Sequence, residues 1–367
     1  IALIPIGLFL KEGIAIQKQK EAIELYQSGN SLDDMDEAMK KINFAIRLNP
    51  GNHIFYVTKA EFLESQMKYR KAIIELHKAN EAKKNYANGY IAIGINYERL
   101  GSIDSAKVFY YSALEIFNSR IEKYAKDELF KGYIEAFNED WSPIDDMRLS
   151  DKDANEAKTM NTHLHVLEAY TNLYKVYKNE GLKNNLTELI QLFLDKFLNS
   201  ENHLNLFFDE HWNLKGNIIS FGHDIETAWL LIEAAKVIED EKLLKETERV
   251  AVLISDTFLQ TGIDKDGGVI NEYDPETGKF DYDKHWWPQA EALVGLRYAY
   301  NITGDEKYLT SSTAIWNFIK TNILDTTNGE WFWKVDKNRK LSTNEYKIGM
   351  WKAPYHTSRA CIILNNS

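Results

Sequence analysis

The sequence predicts an all-α protein in two parts, and two patterns predict it. Over residues 17–118, Ala38, Ala72 and Ala106 recur on a 34-residue step that Ala45, Ala79 and Ala113 repeat. From about residue 119 that step stops. Apolar residues there recur at three- and four-residue spacing, the period of a helix with one buried face.

The first ten residues, IALIPIGLFL, are apolar but too few to span a bilayer. Residues 1–16 read as the remnant of a signal sequence or as an apolar cap on the first helix; the expected location is cytoplasmic. Within the repeat, Ile42, Leu76 and Tyr110 keep the same step between the alanines. Small residues at two fixed positions, with a larger apolar one between, let paired helices approach closely. Tyr90, Gly94, Tyr97 and Gly101 fill out the third copy, and Asn49-Pro50 stops the first. The first copy carries about four extra residues in its turn, from Asn30 to Asp34. This stretch resembles tetratricopeptide repeats, in three helix-turn-helix units. The resemblance implies a concave face for a peptide or protein partner, although such helices can equally serve as scaffold.

In the second part, helices are predicted over about 161–178, 185–198, 224–237, 241–259, 288–301 and 306–321. Gly- and Asp-rich turns separate them, such as Asp264-Lys-Asp-Gly-Gly268 and Thr326-Thr-Asn-Gly329. The first of these has the acidic start of a calcium loop but lacks its later ligands and closing glutamate. No phosphate-binding glycine loop, dinucleotide fingerprint, zinc-protease motif or nucleophilic serine elbow occurs.

With 367 residues the chain can bury a sizeable core in about two domains. Its net charge of −11 argues against nucleic acid as a partner. The single cysteine, Cys361, rules out an internal disulfide and reads as a buried small residue. Aromatic residues make up 13%, which suits a sugar-binding cleft as well as helix packing.

Histidine, carboxylate and tryptophan gather in a few segments. His223 and Glu226 are three apart at a helix start and share a face, where a carboxylate can stabilise an imidazolium. His163 and His165 are two apart, so one of them faces a cleft and the other is structural. His356 lies in a loop entering the last helix, where packing and catalysis are both open readings. Trp286 and Trp287 precede Pro288, a first-turn residue, with one ring available to line a sugar platform and the other to pack inward. A metal-dependent hydrolase using His163, His165 and His223 is a minor alternative, since these segments carry no recognised ligand motif.

Together the segments are more specific. Gly132-Tyr-Ile-Glu-Ala-Phe137, Asp140-Trp-Ser-Pro143, Met147 to Asn155, Met160-Asn-Thr-His-Leu-His165, Ser220-Phe-Gly-His-Asp-Ile-Glu226, His285-Trp-Trp-Pro-Gln-Ala-Glu291 and Trp351-Lys-Ala-Pro-Tyr-His356 resemble the cellobiose 2-epimerases, which belong with the N-acylglucosamine 2-epimerases. The likeness runs over about 115–367. It implies an (α/α)6 barrel and inversion at C2 of the reducing glucose of a β-1,4-linked disaccharide, cellobiose or lactose, with no metal or organic cofactor. It also implies site roles. His223 and His356 would be the acid/base pair, with Glu226 tuning His223. His165 and Asn161 would sit at the sugar oxygens, with Asp153 in the pocket. Trp286 and Trp351 would stack on the rings, and Glu291 would be a pocket carboxylate.

The family's amino-terminal barrel helices, with an arginine that would hold the sugar oxygens, have no counterpart before about residue 115. Arg70, Arg99 and Arg120 lie in the repeat or at the seam. The expectation is therefore a partial barrel over 119–367 with impaired turnover, ending in a shortened helix. The competing reading is a non-catalytic interaction module carrying a remnant sugar-binding domain.

Overall fold

A computed structural model describes residues 3–28, 32–150, 153–342, 344–349 and 351–365. It comprises two compact units, Ile1–Tyr124 and Ala125–Ser367. Among the described residues no helix is long and apolar enough to cross a membrane.

The first unit is six helices: α1 (Leu3–Ser28), α2 (Leu32–Leu48), α3 (His53–Ser65), α4 (Tyr69–Ala82), α5 (Ala87–Arg99) and α6 (Ile103–Arg120). Successive pairs pack as hairpins. The six step-repeating alanines are at most 2% exposed, since a larger side chain there would force the partner helix away. Gly94 answers to the same constraint, because a Cβ on it would come within 2.4 Å of the Tyr110 ring. Asn52 starts α3 by accepting a hydrogen bond from the Ile54 N–H. The side chains of IALIPIGLFL, and residues 29–31 of the long first turn, lie outside the described residues. The predicted seam at 118–119 falls within the run of α6, which passes into a π-helical turn at Ile121–Ala125.

The second unit alternates helices with short hairpins. Its helices are α7 (Met160–Val176), α8 (Glu180–Leu192), α9 (Phe221–Ile238), α10 (Glu241–Thr261), α11 (Trp286–Thr303), α12 (Glu306–Asn322) and α13 (Tyr355–Asn365). The odd-numbered ones lie side by side in chain order, and α8, α10 and α12 back them. This is the inner-and-outer arrangement of an (α/α) barrel. Layer membership is legible in composition: α9 buries residues on nearly every side, whereas α10 buries one stripe that includes Leu243, Val250, Ile254 and Phe258.

Two boundaries differ from the sequence expectation in a way that bears on the site. Helix α9 begins at Phe221 rather than 224, and α11 at Trp286 rather than 288. His223 and both tryptophans therefore sit in first turns. Ser220 and His285, the residues before these helices, belong to two-residue strands that pair with 272–274 and 334–335. Sheet pairing holds the chain extended up to the helix start, a constraint that local periodicity does not contain.

The hairpin ends are pinned by buried lysines just ahead of inner helices. Lys158, before α7, is fully buried and donates to Asp127 (2.8 Å) and to the Glu210 carbonyl (2.8 Å). Lys284, before α11, is fully buried and donates to Asp264 (2.5 Å). Lys352, before α13, donates to Glu330 (3.0 Å) and the Lys347 carbonyl (2.9 Å). A buried ammonium holds its charge only with such partners, so each pair locks a turn against the helix that follows. The Asp264 turn is thus closed by a lysine.

Helices α9 and α11 come unusually close at Gly295. A Cβ there would lie 2.7 Å from the Ile225 carbonyl oxygen and 2.6 Å from its Cγ1. Because the obstruction includes backbone, relief requires the helices to separate. Gly295→Ala is expected to lower unfolding stability by about 1–3 kcal/mol, as other overpacked cores do, measured by urea titration.

Candidate active site

Helix α7 is started by Thr159, whose hydroxyl accepts from the Thr162 N–H (3.1 Å). Its first turns carry three polar side chains to different fates. Asn161 lines a cavity of about 520 Å³ and a second one of about 300 Å³. His165 opens into the larger cavity. His163 is fully buried, with Nδ1 2.7 Å from the Thr159 carbonyl and Nε2 accepting the Tyr133 N–H at 2.9 Å. Donation from Nδ1 and acceptance at Nε2 fix one neutral tautomer, and burial lowers the His163 pKa to about 4. With both ring nitrogens engaged, His163 cannot ligate a metal.

Helix α9 presents His223 to both cavities. Its Nδ1 lies 2.8 Å from the Ser220 hydroxyl, and burial lowers its pKa to about 3, with the charges of His165 and His356 acting in the same direction. Trp287 of α11 has its ring centroid 4.7 Å from that of His223 and 5.6 Å from that of His356. One indole thus touches both imidazoles. Gly222 permits this: a Cβ on it would come within 2.4 Å of the Trp287 ring.

His356 enters the larger cavity from the first turn of α13. Its Nδ1 is 2.7 Å from Glu291 of α11 and 3.8 Å from Glu226 of α9. Burial disfavours the imidazolium, yet the hydrogen bond to Glu291 and the charge of Glu226 outweigh it and raise the pKa above the ordinary value. Burial and the neighbouring Glu291 push the Glu226 carboxyl up. Glu291 is held below the usual range because His356 and Arg359 outweigh its burial. His223 and His356 are therefore unlike: His223 favours the neutral ring and His356 the protonated one.

Arg359 completes the cluster. It donates to Glu226 (2.6 Å), Glu291 (2.7 Å) and Glu168 of α7 (2.5 Å). Glu226, Glu291 and His356 have candidate ligand atoms within 4.8 Å of one another, a spacing that would suit a divalent cation. The Arg359 guanidinium is already there as a fixed cation, donating to one oxygen of each carboxylate.

The sequence-predicted residues are redistributed accordingly. His165, His223, Glu226, Asn161, Trp286, Trp351 and His356 line the larger cavity, and Asp153 lines the smaller one. The pairing of Glu226 with His223 is corrected: Ser220 meets His223, and Glu226 stands beside His356. Spacing of three residues places side chains on one face without deciding which way each turns. Trp286 is 3% exposed and packs on Trp333 (4.7 Å), and the ring in contact with both His223 and His356 is that of Trp287. Trp351 is 59% exposed at the cavity wall. Glu291 is completely buried behind His356. Cys361, expected to be buried, is exposed on α13. Sequence reasoning missed Arg359, Glu168, Ser220 and Trp229, whose indole N–H donates to Glu291 at 3.0 Å. The signal was present for three of them, since Arg359, Glu168 and Ser220 each lie three residues from a candidate histidine.

The profile of the N-acylglucosamine 2-epimerase (GlcNAc 2-epimerase) family matches residues 121–360. The cellobiose 2-epimerase of Bacteroides fragilis is 44% identical over 283 residues, 77% of this chain and 71% of that one. A sugar epimerase from a ruminal bacterium superposes with a TM-score of 0.67 at 35% identity, covering 77% of this chain and 71% of that one. The cellobiose 2-epimerase of Bacillus thermoamylovorans B4167 superposes with a TM-score of 0.65 at 29% identity, covering 97% of this chain and 88% of its own.

The buried neutral His163 makes stability pH-dependent. Its folded pKa, about 4, lies below the unfolded value near 6.5. The unfolded chain therefore binds the extra proton first, and stability falls as pH drops from about 6.5 towards 4. His163→Leu is expected to be less stable than the parent at pH 7 but to lose less on going to pH 4.5. The difference approaches about 3 kcal/mol at most, read by urea unfolding at the two pH values.

Proposed function

The chain belongs to the N-acylglucosamine 2-epimerase family and is an epimerase of sugars, and we propose that it inverts C2 of the reducing glucose in a β-1,4-linked disaccharide such as cellobiose or lactose. The observation that carries this reading is a pair of imidazoles of opposite protonation preference facing one cavity, both touched by the Trp287 ring.

Inversion next to a carbonyl requires a proton to leave one face of a carbon and another to arrive on the opposite face. With the sugar opened to its aldehyde, neutral His223 takes the C2 proton and the electron pair moves into a cis-enediolate across C1 and C2. Protonated His356 then delivers a proton to C2 from the other side. The roles exchange in the reverse direction. Each ring rests in the form its task needs, His223 neutral to accept and His356 protonated to donate. Glu291 holds His356 by Nδ1, so Nε2 is the nitrogen presented to the sugar. His165 and Asn161 are placed to donate to the sugar oxygens, where charge develops. Trp287 and Trp351 offer flat faces to the rings, and Asp153 serves the adjoining cavity. The reaction as written draws only on these side chains.

For residues 17–118 we propose tetratricopeptide-type hairpins, supported by the buried alanines on the 34-residue step.

Incubation with cellobiose or lactose in deuterated water tests the reaction. The expected product is the C2 epimer carrying deuterium at C2, and His223→Asn or His356→Asn is each expected to lower kcat by about 10²–10⁴-fold. Absence of both epimer and label from the parent protein would sink the assignment.

A further inference from the structure

We propose that Arg359 is a positioning residue for this reaction: its guanidinium, bonded at once to Glu226 and Glu291, holds two buried carboxylates together against the Nδ1 side of His356 and so aims the other ring nitrogen into the cavity. The proposal rests on the epimerase reading for its catalytic meaning and on geometry for its electrostatics.

Glu226 is 2% exposed and Glu291 not at all, on neighbouring helices. Two like charges at that depth repel strongly, and the cheapest relief is for one to take a proton. A single nitrogen of Arg359, Nη2, lies 2.6 Å from Glu226 and 2.7 Å from Glu291, while Nη1 reaches Glu168 at 2.5 Å. A planar fork can meet carboxylates from three helices at once, which the compact lysine ammonium does less well. The guanidinium carbon lies 4.8 Å from the Trp229 ring centroid and 4.3 Å from that of Tyr355, so aromatic faces restrain it. Arg359 is three residues after His356 on α13, and its Nη2 is 3.5 Å from His356 Nδ1. Both are donors there, and both converge on the same oxygen, Oε1 of Glu291. Arg359 thus acts through the carboxylates rather than on the sugar.

The charged and titratable groups facing this cluster are His165 and Glu168 from α7, His223 and Glu226 from α9, Glu291 from α11, and Tyr355 and His356 from α13. Removing the cation must raise the carboxyl pKa values, and removing Glu168 must lower them. Neutralising either carboxylate beside His356 loosens the imidazole, so the acid limb of activity should follow.

Three variants of the full chain test this, Arg359→Gln, Arg359→Lys and Glu168→Gln, with circular dichroism to confirm folding. Arg359→Gln is expected to lower kcat for cellobiose on the order of 10–100-fold, as loss of outer partners does at other sites, with KM little changed and the acid limb of the kcat profile moved to higher pH. Arg359→Lys should fall between it and the parent. Glu168→Gln should move the acid limb the opposite way. Carbon-13 NMR of labelled glutamate carboxyls, with Glu226→Gln for assignment, should show the Glu226 midpoint rising in Arg359→Gln and falling in Glu168→Gln. A folded Arg359→Gln whose pH profile and carboxyl titration match the parent would overturn the proposal. If that variant does not fold, a Glu168→Gln midpoint that is unmoved or raised overturns it instead. Should the parent turn over no sugar, the epimerase reading fails, and the carboxyl titrations still decide the role of Arg359.

Discussion

Two carboxylates buried side by side constrain the rest of the second unit. Glu226 and Glu291 face one another because α9 and α11 close to backbone contact where Gly295 meets Ile225, one helical turn beyond Glu291 and one residue before Glu226. In a low-dielectric core both can stay charged only with cations arranged around them. Arg359 and His356 supply them, both from the first two turns of α13. The position of α13 is therefore set by charge as much as by apolar packing.

The loops obey a similar rule at lower stakes. Each lysine buried ahead of an inner helix neutralises an acidic turn residue and fixes where that helix begins. First-turn residues furnish much of the cavity wall in this unit: Asn161, His223, Trp287 and His356 all lie near inner-helix starts at the same cavity. Locking the starts defines the site with little dependence on the helices' far ends.

The imidazoles of His223 and His356 differ because their surroundings differ. His223 has a hydroxyl for a partner and loses its charge to burial. His356 has two carboxylates at hand and keeps its charge despite burial. The two-face proton exchange we propose needs one acceptor and one donor in a shared hollow.

Much of the architecture could be read from the chain alone. The alanine step marks close helix crossings because only small side chains fit there, and the three-to-four periodicity marks the second set of helices because one face must leave water. Motif likeness brought His165, His223 and His356 to attention, and the structure places all three at one cavity. Contact identity was not legible. That Ser220, not Glu226, meets His223, that Trp287 and not Trp286 touches both imidazoles, and that Arg359 gathers three carboxylates depend on how separate helices are packed. Sequence spacing determines which face of a helix a side chain occupies. The partner across from it, and with that the protonation state, is decided only when distant segments are brought within a few ångströms.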